Sequence, residues 1–345
     1  MKLELARRTL QLAEPMIASY GAVTERELAL VSLTGDDGLA GYGEAAPLPA
    51  YDGPDLERVW QALEAYVPVV AAAPEGGPLA GVQMIEACRE VDDVPEAIAA
   101  IDMALWDRAG RRAGKPVAAL ISDTPAPRVP VNATLTALDR AGAGEQAAQA
   151  VREGFECLKV KVGIGDDAGR VAAVRAVAGP HARLRLDANG AWTVEQAVEA
   201  IESLAPAGLE LVEEPAHGLA AVRAVRERVA VRVAIDESAG EPGALTSGAA
   251  DAVCLKVSRC GGIGPLLAAA TLVRASGAEV YLASTLDGPL GVAAALQAAA
   301  ALASRGSLAH CGLATLGLFA DLEDPLPPRE GAIELPSAPG LGIAP

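Results

Sequence analysis

Short apolar runs alternate with segments of helical spacing along the second part of the chain, from residue 129 onward. One run and one helical segment together take roughly 20 to 30 residues, which is typical of parallel strands joined by helices. The apolar runs are residues 129–135, 157–162, 184–187, 209–213, 231–236, 252–257, 280–283 and, more weakly, 308–311. Eight such units favour a closed barrel over an open sheet.

The first part of the chain predicts strands followed by helices. Residues 28–33 form a strand-like run, and residues 56–65 and 94–108 have the apolar spacing of helices. Residues 110–128 are rich in glycine, proline and small side chains, which indicates a domain boundary. Near the end of the chain, a proline-rich segment contains one more strand-like piece, residues 332–335.

Composition and charge exclude several classes of partner. The 345 residues suffice for a barrel with an added domain, and the formal net charge of −17 argues against binding to nucleic acid or anionic membranes. Five cysteines without a Cys-x-x-Cys pair indicate free thiols in a reducing compartment. Residues 1–13 lack the apolar core of a signal peptide, and the apolar stretch 288–303 falls short of a membrane span. We therefore predict a soluble cytoplasmic protein.

Lysine is scarce in this chain and is concentrated at the ends of apolar runs. Only five of the 28 basic residues are lysines, and three of them are Lys159, Lys161 and Lys256. Arginine stays protonated in proteins, whereas a lysine can lose its proton when its site lowers its pKa. The pattern predicts amines that cycle between the neutral and charged forms. Lys159 and Lys161 are two residues apart, so both face the same side of their strand.

Three acids end the runs that lie between these lysines. From Lys161 to Lys256, through Asp187, Glu213 and Asp236, the intervals are 26, 26, 23 and 20 residues. Each interval is about one β/α unit, which places all five groups at the carboxyl mouth of a barrel. Carboxylates gathered in one place need a cation. Oxygen ligands without histidine suit Mg²⁺, with Mn²⁺ as an alternative, and not zinc.

The arrangement predicts removal of the α-proton from a small-molecule carboxylate. Lys161 would act as the base, and Lys159 would tune it by like-charge repulsion. Lys256 would serve either as a second acid or base, or as an electrostatic stabiliser on the opposite face. A bound metal ion would stabilise the enediolate, and nearby positive charge would lower the pKa of the base lysine toward neutrality.

Several motifs resemble those of the enolase superfamily, in its muconate-lactonizing-enzyme subgroup, over nearly the whole chain. They are Gly41-Tyr42-Gly43-Glu44-Ala45-Ala46-Pro47, Ala100-Ile101-Asp102-Met103-Ala104-Leu105-Trp106-Asp107, Lys159-Val160-Lys161, Asp187-Ala188-Asn189-Gly190-Ala191-Trp192, Glu213-Glu214-Pro215, Asp236-Glu237-Ser238 and Lys256 followed by Gly261-Gly262. The resemblance implies an α/β fold, a (β/α)7β modified TIM barrel with an α+β capping domain. We expect the capping domain at residues 1–115, the barrel at 116–322, and a C-terminal segment, 323–345, that returns to the capping domain.

The same resemblance implies roles for individual residues. It assigns an essential Mg²⁺ to Asp187, Glu213 and Asp236, whereas strand alternation alone does not choose between Glu213 and Glu214. Asn189 and Glu237 are expected to support these ligands from behind.

Substrate contacts are expected from two capping-domain loops, residues 19–21 and 49–52, which carry Tyr20 and Tyr51. Ser284, Asp287 and His310, in the regions of strands seven and eight, complete the expected substrate site.

The reaction within the subgroup depends on these substrate contacts. o-Succinylbenzoate synthases, muconate cycloisomerases, dipeptide epimerases and N-acylamino acid racemases share the enediolate step. Dipeptide epimerases typically carry Asp-x-Asp where this chain has His310-Cys311-Gly312, and the following Leu313-Ala314-Thr315-Leu316 is similar to o-succinylbenzoate synthases. We therefore expect syn-dehydration of a cyclohexadiene carboxylate in menaquinone synthesis. Asp287 keeps an epimerase or racemase open, and a cycloisomerase is a further alternative.

Two alternatives belong to other classes of protein. Gly163 and Gly165 follow a strand and precede a helix, with Asp187 further on, as in a dinucleotide-binding fingerprint. Asp166 and Asp167 would then stand where a pyrophosphate needs a positive helix end. The other alternative is a non-catalytic scaffold of the same fold. A homo-oligomer is compatible with the sequence.

Overall fold

A three-stranded antiparallel sheet opens the chain in the computed structural model, which describes residues 1–51, 53–73 and 79–344. Its strands are β1 (Lys2–Ala18), β2 (Gly21–Thr34) and β3 (Ala40–Ala45), in the order β1-β2-β3. The strand predicted at residues 28–33 is the buried half of β2. The sequence prediction missed β1, because most of its side chains are exposed or half-buried and give no apolar run.

Three helices follow the sheet; the first and third pack on it, and the second packs against those two helices. The helices are α1 (Leu56–Ala72), α2 (Ala80–Val91) and α3 (Pro95–Ala113). The strand β3 lies directly against α3, since a Cβ atom added at Gly43 would come 2.1 Å from the carbonyl oxygen of Ala100. The glycines of the Gly41-Tyr42-Gly43 motif therefore permit close contact between a strand and a helix.

The barrel domain contains the strands and helices that alternate along the rest of the chain. The helices are α4 (Ala118–Ile121), α5 (Arg140–Arg152), α6 (Asp167–Ala178), α7 (Val194–Leu204), α8 (Leu219–Arg226), α9 (Val257–Cys260), α10 (Ile263–Ala275) and α11 (Pro289–Ala303). The strands are β4 (Arg128–Pro130), β5 (Ala133–Leu135), β6 (Cys157–Lys161), β7 (Arg183–Asp187), β8 (Leu209–Glu213), β9 (Val233–Ile235), β10 (Ala252–Leu255), β11 (Glu279–Leu282) and β12 (Ala332–Glu334).

Strands β5 to β11 form one parallel sheet in sequential order. The eighth run, predicted at 308–311, closes the sheet through isolated bridges and not as a full strand. Gly312 N donates to Leu282 O at 2.8 Å on one side, and Cys311 N donates to Pro130 O at 2.9 Å on the other. The curled parallel sheet with its capping domain confirms the predicted fold class.

The C-terminal segment contacts both parts of the chain. The strand β12 pairs antiparallel with β4 of the barrel domain. Further on, Leu341 N donates to Asp107 Oδ1 at 2.7 Å, and Val117 N donates to Gly340 O at 2.9 Å. The domain boundaries at residues 115 and 322 stay a prediction, and Pro345 lies outside the described residues.

The longest apolar stretch of the sequence is the helix α11. All of its residues from Pro289 to Leu302 are buried inside the protein. Within the described parts of the chain, no helix is both long and apolar enough to cross a membrane.

Candidate active site

The carboxyl ends of five neighbouring strands carry the charged residues that the sequence analysis singled out. Lys159 and Lys161 lie on β6, Asp187 ends β7 and Glu213 ends β8. Asp236 follows β9 directly, and Lys256 follows β10. In the sheet register Lys161 pairs with Asp187, and Asp187 pairs with Glu213. Because the strands are parallel and in register, the six side chains converge at one end of the barrel.

Direct ion pairs join these groups into what we call the mouth cluster: Lys159, Lys161, Lys256, Asp187, Glu213 and Asp236. Lys159 Nζ lies 2.9 Å from Asp187 Oδ2 and 2.8 Å from Glu213 Oε1. Lys161 Nζ lies 2.9 Å from Asp187 Oδ2. Lys256 Nζ contacts both oxygens of Asp236, at 2.6 and 2.5 Å. Every acid of the cluster therefore has a lysine within hydrogen-bond distance.

The electrostatics of the cluster differ from the sequence-based expectation. Burial opposes the charge of each lysine, but the carboxylates outweigh it and raise the pKa of Lys159, Lys161 and Lys256. Burial likewise opposes the charge of Asp187 and Asp236, but the lysines outweigh it and lower the pKa of both acids. The expected fall of the lysine pKa requires a further cation on the acids, because here the lysines themselves neutralise them.

The residues present fit a divalent cation. One oxygen of Glu213, one oxygen of Asp236 and the sulfur of Cys254 lie within 4.8 Å of one another. Asp187 is outside this group and joins it through Lys159. Buried carboxylate oxygens that converge in this way are the ligands that a hard cation such as Mg²⁺ prefers. Burial raises the pKa of the Cys254 thiol, which keeps it neutral and a poor ligand for such a cation.

Asn189 and Glu237 are hydrogen-bonded to each other beside the acids of the mouth cluster. Asn189 Oδ1 accepts from Lys161 Nζ at 2.5 Å, and Asn189 Nδ2 donates to Glu237 Oε1 at 3.0 Å. Asn189 N also donates to Asp187 Oδ1 at 3.1 Å, which a left-handed backbone at Asn189 makes possible. One amide side chain thus connects the amine of β6 with the end of β9.

The structure separates the two adjacent glutamates. Glu213 points into the barrel toward Lys159, whereas Glu214 has a left-handed backbone and turns away. The Glu214 carboxylate accepts from Asp236 N at 2.8 Å and from the hydroxyl and backbone N–H of Ser238. Glu213 therefore joins the mouth cluster, and Glu214 holds the backbone that carries Asp236.

A cleft opens over the mouth cluster. Its lining residues are Met16, Tyr20, Leu48, Tyr51, Thr134, Lys159, Lys161, Asp187, Asn189, Asp236, Lys256, Ala283, Ser284, Thr285, Leu286, Gly312 and Thr315. Tyr20 and Tyr51 meet edge to face with ring centroids 5.7 Å apart. The Tyr51 hydroxyl bonds to Lys256, and the Ser284 and Thr315 hydroxyls lie 2.9 Å apart. Asp52, in the same predicted loop, lies outside the described residues.

Asp287 and His310 lie away from this cleft, in contrast to the prediction. Asp287 is buried beside Arg26 at the domain interface, where burial raises its pKa to about 6. The backbone reverses at Leu286, which has a positive φ, and this turns Asp287 out of the cleft. His310 lies at the other end of the barrel, and burial with Arg185 and Arg183 lowers its pKa.

The structure also brings to the site residues that were not predicted from the sequence. Thr134, Leu48 and Thr315 line the cleft, and Tyr281 and Cys254 lie beside the acids. Cys254 is two residues before Lys256, and Tyr281 pairs with Cys254 in the sheet. The alternation of side chains along strands was the signal that could have placed both of them inside the barrel.

The glycine-rich turn after β6 does not form a dinucleotide site. Asp166 caps the amino end of α6, where its Oδ1 accepts from Gly169 N at 3.0 Å, and Asp167 Oδ2 accepts from Gly163 N at 2.7 Å. The N–H groups that a pyrophosphate would need are therefore bound to carboxylates.

Comparison with known families assigns both domains. Residues 142–345 match the enolase C-terminal domain-like family, and residues 2–122 match the mandelate racemase / muconate lactonizing enzyme N-terminal domain family. The chain therefore belongs to the enolase superfamily, in the mandelate racemase / muconate lactonizing enzyme group, and it is an enzyme of that class.

Two curated relatives differ in how much of the chain they match. The hydrophobic dipeptide epimerase of Enterococcus faecalis is 31% identical over 97% of this chain and 96% of its own length. The o-succinylbenzoate synthase of Mycobacterium tuberculosis is 41% identical over 216 residues, which are 59% of this chain and 63% of that protein. A solved structure of the Enterococcus faecalis epimerase, complexed with Mg and the dipeptide L-Leu-L-Tyr, superposes with a TM-score of 0.90. That match has 28% identity and covers 100% of this chain and 99% of the other.

Proposed function

We propose that this enzyme racemises or epimerises N-acylated α-amino acids, a class that includes dipeptides and N-succinyl amino acids, by removing and returning the proton beside the carboxylate. The observation that carries the proposal is the position of Lys161 and Lys256 on β6 and just after β10, with three strands between them. Both amines line one cleft, and each is bonded to a different acid. Two amines on opposite sides of one carbon can exchange a proton on either face.

The three acids would hold the metal ion between these amines. A divalent cation on Asp187, Glu213 and Asp236, Mg²⁺ or Mn²⁺, would neutralise the carboxylates and the negative charge that develops on the substrate carboxylate. With their carboxylate partners neutralised, Lys161 and Lys256 no longer need to stay charged. One lysine then takes the α-proton in its neutral form while the other, still charged, delivers a proton to the opposite face.

The walls of the cleft suit an amino acid with an acylated nitrogen. Met16, Leu48, Tyr20 and Leu286 provide apolar surface for side chains. The hydroxyls of Ser284 and Thr315 can hydrogen-bond an amide or a terminal acyl group. The similarity to the Enterococcus faecalis dipeptide epimerase over nearly the full length of both chains supports the same substrate class.

A second candidate is the syn-dehydration that forms o-succinylbenzoate. The 41% identity to the Mycobacterium tuberculosis synthase favours it, although that match covers 59% of the chain. The stretch Gly312-Leu313-Ala314-Thr315-Leu316 after the closing bridges supports the same reaction. In this reaction Lys161 alone would move protons, and Lys256 would remain charged throughout.

Proton exchange in D2O separates the two reactions. L- and D-forms of dipeptides and N-succinyl amino acids, and the cyclohexadiene carboxylate precursor, are incubated with the wild type and with Lys161→Ala and Lys256→Ala. We expect deuterium at the α-carbon of the N-acyl amino acids, with each variant losing exchange for one enantiomer and retaining part of it for the other. Lys115→Ala, which removes an exposed lysine, is the matched control. Turnover of the cyclohexadiene alone, without α-exchange in the amino acid series, would refute the racemase.

Removal of divalent cations tests the site itself. We expect EDTA treatment to abolish exchange, because without a metal ion the lysines stay charged and paired with the acids. Addition of Mg²⁺ or Mn²⁺ should restore exchange. Circular dichroism would show that the fold survives. Undiminished exchange in protein whose metal content has been shown to be negligible would contradict the proposed metal site.

A further inference from the structure

Tyr281 makes a contact with the mouth cluster that the proposed proton transfer does not use. This tyrosine lies on β11, is 2% exposed, and donates from its hydroxyl to Glu213 Oε2 at 2.8 Å. The other oxygen of Glu213, Oε1, accepts from Lys159 Nζ at 2.8 Å. Each oxygen of this buried carboxylate therefore has its own donor.

The two donors stand on different sides of the carboxylate. Lys159 lines the cleft, whereas Tyr281 and Glu213 are not among the lining residues. Oε1 is thus the oxygen turned toward the cleft and Oε2 the oxygen turned toward the barrel interior. A cation that entered from the cleft would meet Oε1 first and displace the amine of Lys159 from it, whereas Oε2 would stay bonded to the Tyr281 hydroxyl on the far side.

Tyr281 is held firmly in this position. The Arg185 guanidinium carbon lies 5.0 Å from the centroid of its ring, and Arg185 is completely buried. Arg185 is fixed in turn by Glu210 Oε2, 2.7 Å from its Nε, and by the carbonyl oxygen of His310, 2.7 Å from its Nη1. Burial raises the pKa of the Tyr281 hydroxyl, so it remains a hydrogen-bond donor.

We propose that Tyr281 is a positioning residue that restricts Glu213 to one metal-binding oxygen and so makes the site prefer Mg²⁺ to Ca²⁺. Mg²⁺ requires a small octahedral shell of single oxygens, whereas Ca²⁺ accepts six to eight ligands and often binds both oxygens of one carboxylate. A hydroxyl that occupies Oε2 favours the first geometry over the second. The inference rests on the proposed metal site.

The test compares the affinities of Mg²⁺ and Ca²⁺ by isothermal titration of the metal-free protein. Tyr281→Phe keeps the ring against Arg185 and removes only the hydroxyl. We expect its Mg²⁺ affinity to fall about tenfold, the usual scale for loss of a group that orients a ligand. Its Ca²⁺ affinity should stay within about threefold of the wild type, because Glu213 can then offer both oxygens. Tyr66→Phe, which removes a buried hydroxyl bonded to Asp92 O in the capping domain, should leave both affinities unchanged.

The outcomes separate this inference from the proposed function. A wild type that binds neither cation would overturn the metal site and with it the proposed function. A wild type that binds Mg²⁺, with a Tyr281→Phe variant whose two affinities fall by the same factor or not at all, would overturn the role of Tyr281 alone. Thermal unfolding of the two metal-free tyrosine variants should show similar losses, since each loses one buried hydrogen bond.

Discussion

Two buried charged clusters lie next to each other in this enzyme and differ in how their cations contact their acids. In the mouth cluster, lysines contact the carboxylates directly. The pKa of Asp187 and Asp236 is lowered there, whereas burial raises the pKa of Glu213 to about 7. The second, which we call the interface cluster, consists of Arg26, Glu44 and Asp287 between the capping domain and the barrel. There burial raises the pKa of Asp287 to about 6 and that of Glu44 to about 8.

The cation explains the difference between the clusters. Arg26 donates to three backbone carbonyl oxygens, those of Ala46, Pro47 and Leu286, at 2.6, 2.7 and 3.2 Å. Its guanidinium thus joins the loops of two domains through carbonyl oxygens, and its charge only partly offsets the burial of Asp287. Arginine provides fixed charge and geometry, whereas lysine provides a proton that can leave. Under the proposed function, the lysines of the mouth cluster transfer protons, whereas the arginine of the interface cluster is structural.

Substitution of Lys161 by arginine tests the difference between the clusters where the largest effect is expected. Lys161→Arg keeps a positive charge beside Asp187 but cannot act as a base. We expect α-proton exchange on the face served by Lys161 to fall by about 10² to 10⁴-fold, the usual contribution of a general base. Mass spectrometry of deuterium uptake measures this loss, and the unfolding transition should remain cooperative.

The control for this variant is Lys115→Arg, the same substitution at an exposed position. It should leave the rate of α-proton exchange unchanged. If Lys161→Arg retained wild-type exchange for both enantiomers of a substrate, Lys161 could not be the base.

The reverse exchange tests the interface cluster. In the wild type, each of the three carbonyl oxygens accepts from a different nitrogen of Arg26. Arg26→Lys keeps the charge but offers a single nitrogen to all three. Leaving about two buried acceptors unsatisfied should lower the free energy of unfolding by about 2–4 kcal/mol. Urea denaturation measures this loss, and kcat should change by less than about threefold if the cluster is structural. If Arg26→Lys were as stable as the wild type but inactive, the interface cluster would serve catalysis and not structure.

The mouth cluster could be predicted from the sequence because its three acids end apolar runs and its three lysines lie within three residues of such an end. A charged residue after a buried strand marks its carboxyl end, and parallel strands bring such ends together, as for Asp187 on β7 and Glu213 on β8. The spacing of about one β/α unit then orders the groups around the barrel.

The interface cluster and the cleft walls could not be predicted in this way, since they depend on loops from distant parts of the chain. Asp287 is five residues beyond the end of β11, and the left-handed backbone at Leu286 removes any alternation that could be counted from the strand. His310 belongs to the segment that closes the sheet by isolated bridges, so its direction was not fixed by a strand pattern.

The acids of the interface cluster predict an unusual pH dependence of stability. Glu44 is buried, and Leu290 N donates to its Oε2 at 3.1 Å. Burial, helped by Asp287, raises its pKa in the folded state to about 8 from the ordinary value of 4.5. The folded protein therefore holds this proton more tightly than the unfolded chain. Its contribution to stability is complete below the unfolded pKa and is lost as the pH rises through about 8.

Glu44→Gln removes this titration. We expect the unfolding free energy of the wild type to fall by about 3–4 kcal/mol more between pH 5 and pH 8 than that of the variant. Thermal or urea unfolding at several pH values gives the two slopes. Asp287 retains its own smaller slope at lower pH in both proteins. Glu199→Gln, at an exposed position on α7, is the control and should behave like the wild type. If the unfolding free energies of the wild type and Glu44→Gln had the same pH dependence, Glu44 would be charged in the folded protein.

Tyr51 joins the two clusters, and its removal should have the smallest and most selective effect. It follows the loop whose carbonyl groups at Ala46 and Pro47 bind Arg26. Its hydroxyl bonds to Lys256, whose Nζ lies 4.3 Å from the centroid of the tyrosine ring. Tyr51→Phe keeps the ring and leaves Lys256 bonded to Asp236, so the fold and the metal affinity should remain.

The loss should therefore be confined to the face of the substrate that Lys256 serves. We expect deuterium exchange on that face to fall about tenfold, as for one misplaced proton donor at the low end of general acid–base effects. Exchange on the face served by Lys161 should change less than about threefold, and Tyr42→Phe, on the capping sheet, should affect neither. An equal loss on both faces would mean that Tyr51 shapes the whole cleft and does not orient one amine. The interface cluster, which holds the loop before Tyr51, would then take part in substrate binding. The division into a structural cluster and a catalytic cluster would no longer hold.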